Sequence, residues 1–421
     1  MKKKDTIFQE TILIEIDPEH VKKFYYFIIE EKKKHTHLNE FEKGKIPISY
    51  IREYFYEKIK IFISEFFFYM EAQKKIIKKF NKKGLTLPIN INPNIFLDLE
   101  TFELKYSISD FFNKITKENF ENKKIKLPLR KKYKDLDKQA ISFVKKENEN
   151  FLKFENKINY EDWIQIEVFL CDDNEKLILN EISTLLWIKI SSQKYDLEIA
   201  NIFLNKKIND IFFSKALFLQ NYFSASQFIK CNFKIIIKEH VSSLFFNFKC
   251  FSKFFNIKKE SDLYNKIIEV FSFKNDISLK REICQISFKK LFENYKISFS
   301  KNLFNQYKLE ISKNLKINPD YLIFQGNKNF NENLKIFINQ KIMEIVLIDY
   351  LSNKKFIKTE INDFYFFFNI LQRNRLKDFL YFDLFEIKNE KKAIPISHEI
   401  IEKLIIREKT LQSNIKILEK N

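Results

Sequence analysis

Residues 11 to 16 read Thr-Ile-Leu-Ile-Glu-Ile, with Ile12, Ile14 and Ile16 on one face of an alternating run. That period of two predicts a half-buried strand. Asp17-Pro18-Glu19 follows. It offers a capping carboxylate, a proline suited to the first helical position, and an acid that favours the positive end of a helix dipole. Val21, Phe24, Tyr25 and Ile28 then recur at helical spacing, so a helix is predicted as far as Lys34. A polar loop runs from His35 to Pro47. Ser49 is placed to cap a long helix through Ile51, Phe55, Ile59, Phe62, Ile63 and Phe66, and Gly84 is placed to stop it. Leu85 to Pro93 reads as a connection, and Phe102, Leu104, Tyr106 and Ile108 alternate as a last strand. Residues 1–112 therefore form an α+β head ordered strand, helix, loop, helix, strand.

The pattern changes three times after the head. Residues 113–150 are Lys- and Glu-rich and read as a helical linker arm. Residues 151–243 read as a small antiparallel-sheet domain. Its strand candidates are Trp163 to Leu170 (with Trp163, Ile164, Ile166, Val168 and Leu170 apolar), Leu177 to Ile190, and Asn232 to Lys238. Residues 244–421 read as an all-helical domain with long arms. Ser261-Asp262 opens one helix, and Leu263, Ile267, Ile268 and Phe271 follow at its spacing. Further helices fit Phe304 to Leu315, Asn333 to Leu351, Ile361 to Leu380 and His398 to Leu418. The fold class is thus multi-domain α+β, and no internal repeat is found.

Composition narrows the functional classes. With 421 residues the chain suits two to four domains. Its richest apolar stretches, Phe62 to Met70 and Phe364 to Leu371, are too short to span a bilayer. No apolar signal core follows the N-terminal lysines, so a cytoplasmic location and no membrane partner are expected. The net charge of +19 fits an anionic partner such as RNA. It fits equally a drift in composition toward Lys, Asn, Ile and Phe, whose codons are A/T-rich. Three glycines cannot build a Gly-rich phosphate loop, which excludes an ATP-driven machine of that kind. Neither a nucleophile-elbow nor an H-E-x-x-H motif occurs. Cys171, Cys231, Cys250 and Cys284 are widely spaced and predict buried free thiols. The pair His35 and His37 lacks a third ligand nearby, so no metal and no cofactor is expected.

One segment has its own physics. In Phe41-Glu42-Lys43-Gly44-Lys45-Ile46-Pro47, Gly44 permits a turn other residues resist, and Pro47 stiffens the exit. Phe41 offers an apolar anchor, and Lys43 and Lys45 offer salt-dependent attraction to RNA. This loop resembles the Gly-Phe-Arg-x-Gly-x-x-Pro loop of the trigger factor family, ribosome-associated bacterial chaperones. Phe41, Gly44 and Pro47 stand in register, while Glu40 and Glu42 replace the glycine and the arginine. The order of head, arm, sheet and helical tail also resembles that family, as does Phe248 to Phe255 ahead of Ser261-Asp262-Leu263.

The resemblance implies a set of expectations. The ribosome-binding residues would be Phe41, Glu42, Lys43, Gly44, Lys45 and Pro47. Partners would be the ribosome (a large-subunit exit-tunnel protein and rRNA) and nascent unfolded polypeptides, with a homodimer of the free protein left open. The middle domain would be an FKBP-like peptidyl-prolyl isomerase. Its Ile-Pro-Gly-Phe-Glu segment is absent, replaced by Leu197 to Phe203. Asp162 and Asp172 remain as carboxylates, and Trp163, Phe169 and Trp187 as aromatics. A degraded pocket with weak or lost activity is expected, and no catalytic residue is assigned. The run Phe364 to Phe368 is too apolar all round for an exposed helix face and should lie inside the tail. The rival reading is a basic RNA- or ribosome-binding structural protein without client function.

Overall fold

The computed structural model describes residues 12–36, 41, 42, 44–86, 91–98, 101–108, 113–117, 135–225, 228–275, 277–316, 325, 326, 328–373, 376, 380–382 and 394–420. The head opens with β1 (Ile12–Ile16), buried and exposed in strict alternation. Helix α1 (Pro18–His35) begins as expected: the Asp17 carboxylate accepts from the Glu19 N–H at 2.9 Å, and Pro18 starts the first turn. Val21, Phe24, Tyr25, Ile28 and Ile29 form its buried face.

The long helix expected after the loop is broken into pieces. Short α2 (Ile48–Tyr54) starts behind Pro47, and Ser49 makes no cap. Phe55 leaves helical geometry, and α3 (Tyr56–Phe67) then runs into a π-helical turn at Phe68–Ala72 before α4 (Gln73–Lys83). The wide π turn carries an extra residue, after which Ile76, Ile77 and Phe80 resume the buried face. Gly84 ends α4 in the left-handed conformation. Its N–H bonds Asn81 O, and Leu85 N–H reaches back to Phe80 O, which satisfies the last carbonyls. Strands β2 (Asn92–Leu97) and β3 (Phe102–Ile108) complete an antiparallel sheet of order β1-β3-β2, with Ile14 opposite Tyr106.

Residues 113–150, expected to be a helical linker arm, begin with a strand. β4 (Asn113–Lys117) is followed later by α5 (Leu136–Leu152). The sheet module contains β5 (Trp163–Cys171), β6 (Thr184–Lys189), α6 (Leu197–Phe203), β7 (Ile211–Ser214), α7 (Leu217–Tyr222) and β8 (Asn232–Val241). The second strand is shorter than the Leu177 to Ile190 run suggested. The tail continues with α8 (Phe248–Phe254), α9 (Glu260–Asn275), α10 (Ile277–Asn294), β9 (Tyr295–Phe299), α11 (Lys301–Lys316), α12 (Phe330–Lys354), α13 (Ile361–Leu371), β10 (Ile396–Ser397) and α14 (His398–Lys420). Among its described residues the tail is thus helical apart from two short strands, and the helix expected over Ile361 to Leu380 ends at Leu371. The molecule is mixed α+β, with small antiparallel sheets and a helical C-terminal region. Among the described residues no helix is long and apolar enough to cross a membrane.

Two pairings tie distant parts of the chain together. β4 pairs antiparallel with β9, Ile115 opposite Ile297. β10 pairs antiparallel with β6 and forms the edge of a five-stranded sheet of order β10-β6-β5-β8-β7. Both faces of that sheet are covered. Ile164, Ile166, Val168, Leu186, Ile188, Phe233 and Ile235 face α6, α7 and the head, in one continuous apolar core. Trp163, Trp187 and Val241 face the tail in a second core. Double coverage explains why β5 is nearly all buried rather than alternating. As expected, Phe364, Phe366, Phe367 and Phe368 are all buried, with Phe366 stacked on Phe254 at 3.9 Å.

The head is clamped to the tail at the end of α4. Asn353 Nδ2 of α12 donates to Asn81 O and Lys82 O, both at 2.9 Å, and so takes up helix-terminal carbonyls. A Cβ on Gly84 would sit 3.1 Å from Asn353 Cβ, so glycine permits both the left-handed turn and the close approach. Beneath this joint Arg407 and Lys403 of α14 meet Asp349 of α12 in a buried ionic cluster.

Candidate functional site

The loop that the sequence singled out lies between α1 and α2. Phe41 is half-buried and its ring stands 5.3 Å from that of Tyr50. Lys45 N–H donates to Glu42 O at 3.0 Å, which closes a turn through Gly44, whose φ is +84°. No atom lies within 4 Å of where a Gly44 Cβ would be, so the backbone angle, not space, demands glycine there. Ile46 is buried and pins the loop to the head core, and exposed Pro47 stands at the start of α2. Lys43 and Glu40 lie outside the described residues.

Charge in the loop differs from the expectation of a basic tip. Lys45 Nζ pairs with Glu42 Oε2 at 2.6 Å, with both side chains 75% exposed. An exposed pair of this kind contributes about 0–1 kcal/mol, so either partner can be recruited by another charge. Glu42, which stands where the family pattern has arginine, is thereby neutralised within the loop.

The structure adds residues that the sequence reading passed over. Tyr50 and Tyr54 stack at 5.7 Å on one side of α2, and Tyr54 is 62% exposed. Tyr54 meets Phe55 at 4.9 Å, and Phe55 meets Phe228 of the sheet module at 6.3 Å. Phe41, Tyr50, Tyr54, Phe55 and Phe228 thus form a ring-to-ring path from the loop to the sheet. The four-residue spacing of Tyr50 and Tyr54 was a readable signal, since such residues share a helix face. On α2 the Arg52 guanidinium lies 5.9 and 5.8 Å from the rings of Tyr25 and Tyr26. It borders a cleft of about 390 Å³ that Glu53, Tyr56, Leu97 and Asp98 also line. Burial raises the pKa of Tyr25, and Arg52 partly opposes that shift. The surface is therefore aromatic with local cations, which suits stacking and salt-dependent contact.

The residues named for an isomerase pocket are held elsewhere. Asp162 accepts from His240 Nε2 at 2.7 Å, from Ser243 N–H at 2.7 Å and from Asn159 N–H at 2.8 Å, all in the interior or at its edge. It fastens the ends of β5 and β8. Asp172 accepts from the N–H groups of Asn174 and Lys176 and caps a turn. Trp163 stacks on Phe368 at 4.5 Å, and Trp187 lies 4.5 Å from Phe368 and 5.8 Å from Phe364. Leu197 to Phe203 is α6, whose Ile199, Ala200 and Phe203 fill the core. Phe169, half-buried, lies 6.0 Å from Lys234 Nζ.

The four cysteines are free and buried. Burial pushes the thiol of Cys250 up to about 11, and those of Cys171 and Cys231 upward as well. Cys171, Cys231 and Cys250 are therefore poor nucleophiles. His35 lies 3.5 Å from Glu31, and His37 is outside the described residues. Glu31, His35 and Asp173 bring their ligating atoms within 4.8 Å of one another. Lys34 and Lys215 already neutralise the two carboxylates, at 2.8 and 2.7 Å.

No protein-family model matches the chain, and no curated protein does. Among solved structures the chain is similar to one of the trigger factor chaperone, from work on its promiscuous substrate recognition in folding and assembly activities. The match spans 97% of this chain and 96% of that one at 14% identity, with a TM-score of 0.35. At that score the superposition carries no functional information.

Proposed function

We propose that this chain is an ATP-independent, ribosome-associated chaperone that shields apolar segments of emerging polypeptides. The observation that carries the reading is the loop at 41–47. It is a glycine turn anchored by Ile46, carrying exposed Lys45, and it leads into an aromatic face on α2. The proposed contact residues are Phe41, Glu42, Lys43, Gly44, Lys45 and Pro47, with Tyr50 and Tyr54 extending the surface. The tail supports the client half of the reading. Leu309 on α11, Ile336 and Phe337 on α12, and Phe356 in the turn after α12 leave apolar surface exposed. Sequential modules at 1–112, 113–150, 151–243 and 244–421 fit the reading, with the middle one acting as a brace between head and tail.

Ribosome co-sedimentation in low salt tests the docking. The variant Phe41→Ala/Lys43→Ala/Lys45→Ala should pellet with ribosomes roughly tenfold less than the unmodified chain, and added salt should release both. Its circular dichroism should be unchanged because Ile46 keeps the anchor. Equal pelleting of the two proteins would remove the loop from the mechanism.

A protease-coupled prolyl-peptide assay tests the brace. The middle module should give no more than about 1% of the turnover of an ordinary FKBP, a loss of roughly 3 kcal/mol in transition-state stabilisation. Its Trp and Asp side chains are committed to stacking and to strand ends. Turnover at the ordinary level would refute that role.

A further inference from the structure

Behind β9, where α11 begins, the tail holds an open cleft of about 340 Å³. Phe299 of β9 and Phe304 of α11 supply its apolar floor, and Lys301 and Lys335 stand at its rim. Asn305 and Asn339 line it as well, and among the described residues no carboxylate does. Among the described residues neither Lys301 nor Lys335 forms an ion pair, and both side chains are exposed. The Ser300 hydroxyl accepts from Leu303 N–H at 3.1 Å, so α11 starts at the cleft and its positive dipole end points there. Behind the floor, Leu303, Ile338, Ile342 and Val346 form a small buried cluster. The floor is therefore rigid, and β9 is fixed by its pairing with β4.

The chemistry is directional. An apolar floor takes an apolar side chain, side-chain amides can bond an extended backbone, and two unpartnered ammonium groups favour carboxylates beside that apolar residue. We infer that this cleft binds extended polypeptide segments in which apolar residues are flanked by Asp or Glu. The inference rests on the chaperone reading above and names the class of client segment. Charge complementarity selects the occupant: a basic segment would meet like charge from Lys301, Lys335 and the helix terminus, in a chain of net charge +19.

Fluorescence anisotropy on the full chain tests it, with labelled ten-residue peptides that differ only in Glu or Lys around a Leu-Phe centre. The Glu peptide should bind roughly tenfold tighter than the Lys peptide at low salt, and the gap should shrink as salt rises. Lys301→Glu/Lys335→Glu should abolish or reverse the preference, and Lys301→Met/Lys335→Met should reduce it to the level set by net charge. Both pairs are on the surface, so folding should be preserved, as circular dichroism would show. Equal binding of the two peptides would overturn the inference. So would a Glu preference that the double variants leave unchanged, which would trace it to net charge alone. A single-stranded RNA that binds through Lys301 and Lys335 while the Glu peptide does not would also overturn it. A parallel assay of aggregation by an unfolded enzyme separates the two levels. Suppression by the unmodified chain without any Glu preference leaves the chaperone reading standing and removes the cleft. No suppression and no peptide binding removes both.

Discussion

Asp349→Ala should destabilise the tail by about 3–5 kcal/mol, the range seen when one partner of a buried ion pair is removed. Asp349 is buried, and Arg407 Nε and Nη2 both reach it at 2.9 Å, while Lys403 Nζ stands 3.4 Å away. Burial alone would push the Asp349 carboxyl up, but Arg407 and Lys403 overcome it and hold the group below its ordinary range. Without the carboxylate, two cations remain in a dry joint. Urea unfolding followed by the fluorescence of Trp163 and Trp187, which face the tail, measures the loss. The triple variant Asp349→Leu/Lys403→Met/Arg407→Met should recover most of it, because apolar side chains of similar volume need no compensation. A single variant that loses under about 1 kcal/mol would show that water reaches the joint.

The same cluster sets two pH dependences of the same sign, in separate pH windows. A depressed carboxyl pKa stabilises the fold above the unfolded value, and that stability is lost as the pH falls through the folded one. Lys403 acts in the same direction at higher pH. Burial lowers its pKa to about 8 from the ordinary 10.5, although Asp349 pulls the other way. Between those values the unfolded chain binds the proton that the folded chain has released, so this group's contribution rises with pH from about 8 to 10.5. Lys403 also donates to Asn81 Oδ1 at 2.7 Å, and thus carries the effect to the head–tail clamp. Lys403→Met should flatten this rise in a pH series of urea midpoints.

Phe66→Ala should cost about 3–5 kcal/mol and loosen two modules together. Its ring is fully buried, 4.2 Å from Phe24 in the head and 5.4 Å from Phe223, which in turn stacks on Phe233 of the sheet at 5.2 Å. Removing it opens a cavity on the shared core, so hydrogen exchange should quicken in α1 and in β8 alike. Faster exchange confined to α1 would mean that the head and the sheet melt independently.

A rigid joint of this kind bears on the proposed function. The loop at 41–47 is coupled to the sheet through the aromatic path that ends at Phe228. The sheet is coupled to the tail through Trp163, Trp187 and His398. His398 Nδ1 accepts from Trp187 Nε1 at 3.2 Å and pairs with Gln165 Nε2 at 2.7 Å. Burial holds the His398 pKa below its ordinary value, which keeps that ring neutral and able to accept. Docking at the loop would thus hold the tail clefts at a set position relative to the ribosome.

Local order was legible along the chain. The alternation of Ile12, Ile14 and Ile16, the Asp17-Pro18 start of α1, the stop at Gly84 and the buried Phe364 to Phe368 run are short-range signals. Each depends on neighbours within one or two turns, so periodicity and capping chemistry suffice to read them. The glycine turn at the loop belongs to the same class. The break at Phe55, the π turn and the strands β4, β9 and β10 were not legible, because each answers to a surface that another part of the chain supplies. The Glu42–Lys45 pair required the turn to be closed before two opposed charges could meet. Asn353 caps α4 across 272 positions, and no local pattern records such a partner. The sequence by itself determined where helices, turns and apolar faces would form. Only the tertiary structure decided that the sheet is buried on both faces, that Asp349 meets Arg407, and that Lys301 and Lys335 are left beside an apolar floor. Burial and charge pairing depend on distance in space, which a one-dimensional pattern does not contain.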